Sequence, residues 1–259
     1  MAQRVSKKKR PSREKHMLRE QLKIEEGVFD HRTMSRLEKL FTHGIISRLG
    51  FLISKGKEAD VYIADAGANV KSDFVAVKIF RIETSSFYSR TEYMIGDPRF
   101  PKIKREIFWI VNEWCKKEYG NLKIAVAAKA HVPKPYYFNG NVLAIEFLGS
   151  DERIAPQLKN AALEDPKKAL RTILSDVKKL YENELVHADL SEYNILMRGE
   201  VPYIIDLGQG VITKHPNAMV FLRRDVYNIT KYFNRKYGLS VEADRAYDYV
   251  TGKTSTSGL

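Results

Sequence analysis

The segment His187-Ala188-Asp189-Leu190-Ser191-Glu192-Tyr193-Asn194 is followed by Ile204-Ile205-Asp206-Leu207-Gly208, whose Asp206 lies twelve residues beyond the Asn. A carboxylate that can take or orient a hydroxyl proton, then an amide, then a second carboxylate, is the set that phosphoryl transfer from a nucleotide requires. Asp189 would serve the attacking hydroxyl. Asn194 and Asp206 offer hard oxygen ligands of the kind Mg²⁺ takes beside substrate phosphates. Each of these residues alone has a plainer reading as a turn cap or a solvated loop residue. Their surroundings change that: Leu185-Val186, Ile195-Leu196-Met197 and the run from Val201 to Ile205 predict three short strands framing the polar residues. Both carboxylates then stand at strand ends, facing one cleft.

A nucleotide site also needs a cation, and Val75-Ala76-Val77-Lys78-Ile79-Phe80 places Lys78 in an alternating, β-branched strand pattern. Ala76 and Phe80 share its face, so an unpaired charge there would be costly unless a phosphate and a carboxylate met it. The carboxylate expected from the pattern is Glu106, on a helix that Pro101 would open. Ile103, Ile107, Ile110, Val111 and Trp114 form the apolar stripe of that helix, with Glu106 three after Ile103 and four before Ile110. The plainer alternative is a rim carboxylate pairing with Lys102 or Arg105. Upstream, Ser54-Lys55-Gly56-Lys57-Glu58-Ala59-Asp60-Val61 lies between two apolar runs and predicts a hairpin with a polar tip over the phosphates. Downstream, the run from Val142 to Leu148 predicts a buried strand leading into a connector whose backbone would pair with adenine. Ile53, Val61, Ala76, Ile145, Leu196 and Ile205 are then either the apolar walls of the site or simply core.

With these residues assembled, the chain resembles the RIO family of atypical protein serine kinases, its type-one branch most closely. SKGKEADVY at 54–62, VAVKIF at 75–80, IEFLG at 145–149, HADLSEYNIL at 187–196 and IIDLGQ at 204–209 carry the likeness. The resemblance implies an α+β, bilobal protein-kinase-like fold. It has a β-rich N-lobe with extra N-terminal helices and a reduced helical C-lobe lacking the activation loop and the peptide-docking subdomains. It implies Lys78 as the phosphate-binding lysine with Glu106 as its ion-pair partner, and Glu146 and Leu148 as backbone contacts to adenine. Asp189 becomes the catalytic aspartate, and Asn194 and Asp206 the metal holders; the resemblance also implies Asp206 as a phosphoryl acceptor. Ile53, Lys55, Lys57, Glu58, Val61, Ala76, Leu196 and Ile205 complete the ATP site, with Mg²⁺, or Mn²⁺ in its place. Lys55 departs from the family, standing where Thr is expected. Ala188 replaces the arginine that reads an activation-loop phosphate in ordinary kinases, and no Ala-Pro-Glu follows Asp206, so switching by loop phosphorylation is not expected.

The chain of 259 residues suits one bilobal unit. The divisions expected are a basic tail at 1–15, helices packed on the N-lobe at 16–44, the N-lobe at 45–148 and the reduced C-lobe at 149–259. Residues 1–15 hold seven Lys or Arg against one Glu, a net +6 that is half of the chain's formal +12. Such a stretch is too polar to bury and would gain affinity for RNA by counterion release, or serve only solubility. In the type-one branch it would act on the assembling small ribosomal subunit. The segments Met17 to Glu26 and His31 to His43 read as amphipathic helices, the second with Leu37, Leu40 and Phe41 on one stripe and Gly44 as its stop. Residues 83–100 break periodicity and read as a long flexible loop whose serines are candidates for autophosphorylation. A helix from about Ala218 to Tyr237 would pack under the site, where Asp225 either braces the loop containing Asp189 or lies exposed. The single Cys115 excludes an internal disulfide, and no apolar run of membrane-spanning length or signal-peptide type is present, so a cytoplasmic, non-membrane protein is expected.

Three other functions compete on sequence grounds. A small-molecule phosphotransferase of the aminoglycoside type shares the Asp-to-Asn spacing, and a panel of small alcohols as acceptors would separate it. A catalytically dead binding module is opposed by the presence of Lys78, Asp189, Asn194 and Asp206 together. A ribosome-bound ATPase with little protein kinase activity merges with the kinase reading.

Overall fold

The computed structural model describes residues 29–82 and 90–255. The expected basic tail, the helix at Met17 to Glu26 and residues 83–89 of the Ser-rich segment lie outside these residues. Helix α1 (His31–Thr42) begins where Asp30 accepts the backbone N–H groups of Arg32 and Thr33, and ends before Gly44, whose φ of +61° is the left-handed turn that a glycine stop supplies. Five antiparallel strands follow: β1 (Ile46–Lys55), β2 (Ala59–Ala66), β3 (Phe74–Phe80), β4 (Pro135–Asn139) and β5 (Val142–Glu146), in spatial order β1-β2-β3-β5-β4. Alternation along β3 sorts its two faces. Val75, Val77 and Ile79 pack with Leu37 and Leu40 of α1 and with Val142 and Ala144 of β5, whereas Ala76, Lys78 and Phe80 face the other way.

Helix α2 (Ile107–Ala127) lies beside this sheet and contributes Ile110, Val111, Trp114 and Leu122 to the main core. It begins six residues later than the sequence led us to expect. Pro101 is a permissive first residue, but Lys102, Lys104 and Arg105 would place three cations within the first five residues, near the positive end of the helix dipole. Glu106, an acid at the N-cap position, suits that end better and marks the true start, although its side chain makes no capping bond.

Past β5 the chain turns helical. α3 (Pro166–Glu182), α4 (Ala218–Tyr237) and α5 (Ala243–Val250) pack together. Between α3 and α4 lie the short antiparallel pairs β8 (Leu185–Val186) with β11 (Val211–Ile212), and β9 (Ile195–Arg198) with β10 (Val201–Ile204). A further small pair, β6 (Gly149–Ser150) with β7 (Arg153–Ile154), follows the connector. The expectation of a flexible loop over 83–100 is corrected for its second half. Arg90–Tyr93 is a single 3-10 turn, Tyr93 and Met94 join the core beside Trp114, and Asp97 is buried on Arg99. Among the described residues no helix is long and apolar enough to cross a membrane.

Candidate active site

A cleft of about 1050 Å³ opens between the sheet and the helical half. Its roof is Ile53, Val61, Ala76 and Ile145, and its floor is Leu196 and Ile205. Spaced this way, the six residues form two apolar layers with a planar slot between them. Glu146 and Leu148 line the connector side, and Lys57 and Glu58 come from the hairpin tip joining β1 to β2. At that tip the amide of Gly56 bonds the Ala59 carbonyl at 3.0 Å, and a Cβ on Gly56 would sit 2.8 Å from the same oxygen, so the turn needs its one glycine. Lys55 is the exception among the expected hairpin contacts. A register irregularity between Leu52 and Ser54 gives the cleft Ser54 and leaves Lys55 exposed outside it, opposite Asp60.

The chemistry-bearing residues converge at the inner end of the cleft. Lys78 Nζ donates to both carboxylate oxygens of Glu118 at 2.8 Å and to Asp206 Oδ1 at 3.0 Å. Glu106 is therefore not the partner of Lys78: it is exposed at the start of α2 and does not line the cleft. The correction has a simple geometry, since twelve residues at about 1.5 Å per residue place Glu118 some 18 Å further along the helix axis. The apolar stripe itself held the signal. Extended in steps of three and four from Val111 and Trp114, it reaches Glu118, a charge on an otherwise buried face. Burial alone would push the Lys78 amine down, but Asp206 and Glu118 outweigh it and hold the amine above its usual range. Burial raises the Glu118 carboxyl, with Lys78 opposing.

Asp189 stands across from this pair. Its Oδ2 accepts from Gln209 Nε2 at 3.0 Å, and Asn194 Nδ2 donates to the Asp189 carbonyl at 2.8 Å. That bond fixes the Asn194 amide so that its oxygen, not its nitrogen, is kept for another partner. Among the described residues no cluster of three or more His, Cys, Asp or Glu would hold a metal by itself. The donor set nevertheless fits Mg²⁺, which takes one or two protein oxygens and completes its shell with substrate phosphate and water.

The RIO domain family model matches residues 60–246. The RIO-type serine/threonine-protein kinase Rio1 of Haloferax volcanii is 39% identical over 92% of this chain and 81% of that protein. The chain belongs to the RIO family. Rio1 of Methanocaldococcus jannaschii is also 39% identical, over 90% of this chain and 79% of that one, and the human serine/threonine-protein kinase RIO1 is 36% identical over 89% of this chain and 41% of its own length. These relatives place it in the type-one branch of a family of protein kinases. The crystal structure of the Rio2 kinase-ADP/Mg²⁺-phosphoaspartate complex from Chaetomium thermophilum matches with a TM-score of 0.66 at 22% identity, covering 87% of this chain and 67% of that one. The fold is therefore the bilobal, protein-kinase-like one.

In this RIO chain two residues of the site have strained backbones: Ala188 at φ +66° and Asp206 at φ +60°. Helix α4 holds the first. Asp225, fully buried, accepts the amides of Ala188 at 2.7 Å and Leu190 at 2.9 Å, and Arg224 donates to the Ala188 carbonyl. His187 completes the frame by accepting the Asp189 amide at Nδ1 and contacting the Ile205 carbonyl through Nε2. Of the two readings open for Asp225, bracing is the one the structure shows. Burial pushes its carboxyl from 3.8 up to about 6, against the opposing pull of His187 and the two amides. A folded-state value above the unfolded one means that the folded chain holds this proton more tightly. The resulting stability is complete below about pH 4 and is lost as pH rises through about 6. The unfolding free energy of the wild type, relative to Asp225→Asn, should therefore fall by roughly 3 kcal/mol between about pH 4 and pH 7. Urea melts showing a flat difference across that window would remove the assignment.

Proposed function

We propose that this chain transfers the γ-phosphoryl group of ATP to a serine hydroxyl of a protein. The observation that carries the reading is the convergence of Lys78, Asp189, Asn194 and Asp206 on the inner end of one cleft whose outer part is an apolar slot. The adenine ring fits between Ala76 and Leu196, with the backbone of Glu146 and Leu148 meeting its edge. Lys78 carries the phosphates, and Glu118 keeps its amine placed. Asn194 and Asp206 hold Mg²⁺, or Mn²⁺ in its place, and the ion when bound neutralises charge on the β- and γ-phosphates. Asp189 takes the proton of the attacking hydroxyl.

Asp206 supports a second route, favoured by the phosphoaspartate for which the Chaetomium thermophilum Rio2 complex is described. An Asp206 oxygen attacks the γ-phosphorus, the bond from that phosphorus to the β–γ bridging oxygen breaks, and ADP leaves with the electron pair. The acyl phosphate then passes its phosphoryl group to a serine hydroxyl or to water, whose proton goes to Asp189. Transfer to water is an ATPase cycle, so one chain can run either outcome.

A single experiment separates them. With γ-labelled ATP and Mg²⁺, the wild type should yield label released by hydroxylamine and label on serine that resists it. Serine label without a labile fraction would end the acyl-phosphate route, labile label with free phosphate alone would make the protein an ATPase, and neither would remove the proposal. Beyond the chemistry, we read the N-lobe as 45–148 and the C-lobe as 149–259, the location as cytoplasmic, and the larger partner as the assembling small ribosomal subunit. The excess positive charge of residues 1–15 supports the last of these.

A further inference from the structure

The loop after Asp206 is gripped from behind by a buried polar cluster that the phosphoryl-transfer chemistry does not use. Lys117, on α2, is 2% exposed, and its Nζ donates to the carbonyls of Gly208 at 2.8 Å and Gly210 at 2.5 Å. Asn121, one turn further and fully buried, donates through Nδ2 to the carbonyls of Leu207 at 2.7 Å and Gly210 at 2.8 Å. The orientation of that amide is not arbitrary. Arg99 Nη1 donates to Asn121 Oδ1 at 2.7 Å, which leaves only the NH₂ side for the loop, and Arg99 is itself held by buried Asp97. Gly208 lets the loop come this near α2, since a Cβ there would lie 2.7 Å from Trp114 Nε1.

Burying a lysine amine is costly, burial driving this one well below its ordinary range, and a well-packed apolar side chain in its place is often neutral or better for stability. Core packing therefore does not account for Lys117. What the cluster does is fix three carbonyls within four residues of Asp206, a residue whose own backbone is strained. The neighbouring residue on the helix, Glu118, fixes Lys78, which bonds the Asp206 side chain. One stretch of α2 thus holds Asp206 twice, by its side chain through Lys78 and by its backbone through the loop.

We propose that Lys117 and Asn121 are positioning residues that aim the Asp206 carboxylate at the nucleotide-bound divalent cation by clamping the carbonyls of residues 207, 208 and 210. The inference rests on the reading of Asp206 as a cation holder, and the test keeps the two apart. The affinity for ADP is measured by calorimetry on the whole chain, with and without Mg²⁺, for the wild type, Lys117→Met, Asn121→Leu and Asp206→Asn. Without Mg²⁺ the Lys117 and Asn121 variants should bind ADP as the wild type does. The gain in affinity on adding Mg²⁺ should shrink by about tenfold in each, the loss typical of removing a group that orients a metal ligand. Asp206→Asn should lose the gain altogether. If Asp206→Asn keeps it, the cation reading fails; if only the other two keep it while matching the wild type without Mg²⁺, the positioning proposal fails alone. Equal loss of affinity with and without Mg²⁺ also overturns it, because a merely structural role would weaken both. Should Lys117→Met fail to fold, Asn121→Leu, which leaves no charge unpaired, decides by the same criteria.

Discussion

Asp189→Asn should lower the rate of phosphoryl transfer by roughly 10³-fold, in the range expected for loss of a positioned general base, while ADP and ATP affinity stay within about threefold of the wild type. The geometry separates the two effects. Asp189 accepts from Gln209 and backs the Asn194 amide, whereas Lys78 bonds Glu118 and Asp206, so the two side chains are expected to serve the acceptor hydroxyl and the phosphates respectively. Lys78→Ala is the contrasting variant. It removes a side chain that bonds both Glu118 and Asp206, and it should weaken the placement of phosphates already present in the ground state. Rapid-quench measurement of transfer, with nucleotide affinity measured separately, checks the pair. If both variants lose nucleotide binding completely and equally, the division of labour between them is wrong.

How far the site could be read from sequence depended on whether its parts were contiguous. The segments around Asp189, Asn194 and Asp206 each lie within a few residues of a strand end, and short-range pattern was enough to place them: β8, β9 and β10 stand where the apolar runs suggested. The apolar walls followed for the same reason, because alternation along β3 assigns Ala76 and Lys78 to one face without knowledge of the partner strands. Helix α4 was legible over its whole length, but the role of Asp225 was not: its position on the helix left bracing and exposure equally open, and its burial on the amides of Ala188 and Leu190 decides between them. Contacts that depend on where a long helix begins were not legible. The stripe from Ile107 to Trp114 was real, but it was read toward its N-terminal end, where three cations oppose the helix dipole, rather than toward Glu118. Lys117, Asn121 and Arg99 were hidden for a different reason. Their partners are backbone carbonyls of a loop far along the chain, and carbonyls leave no mark in a sequence. The same holds for residues 90–100, whose Gly, Pro and charge suggested mobility while Tyr93, Met94 and Asp97 were supplying core and anchor.

Glu118→Gln should destabilise the fold by about 3 kcal/mol, the lower end of what breaking a buried ion pair costs, while Glu106→Gln should change stability by less than about 0.5 kcal/mol. The two carboxylates lie on one helix and differ in surroundings: Glu118 is buried on Lys78, and Glu106 is exposed at the helix start. The stability loss arises because Lys78 stays buried with one of its two partners gone. It should be smaller in Lys78→Met/Glu118→Gln than the sum of the single changes, since the double variant no longer buries an amine. Activity should follow the same order. With Glu118 neutral, Lys78 is left to Asp206 alone, which draws that carboxylate toward the amine and away from the cation it is proposed to hold. The value of kcat/KM for MgATP should then fall by about 100-fold, corresponding to somewhat under 3 kcal/mol of lost transition-state binding. Urea unfolding and steady-state kinetics on Glu118→Gln, Glu106→Gln and the double variant suffice. A Glu106 variant as impaired as the Glu118 one would mean that α2 shifts by about three turns to bring the first carboxylate to Lys78, and the inward face described for Glu118, Asn121 and Leu122 would then be wrong as well.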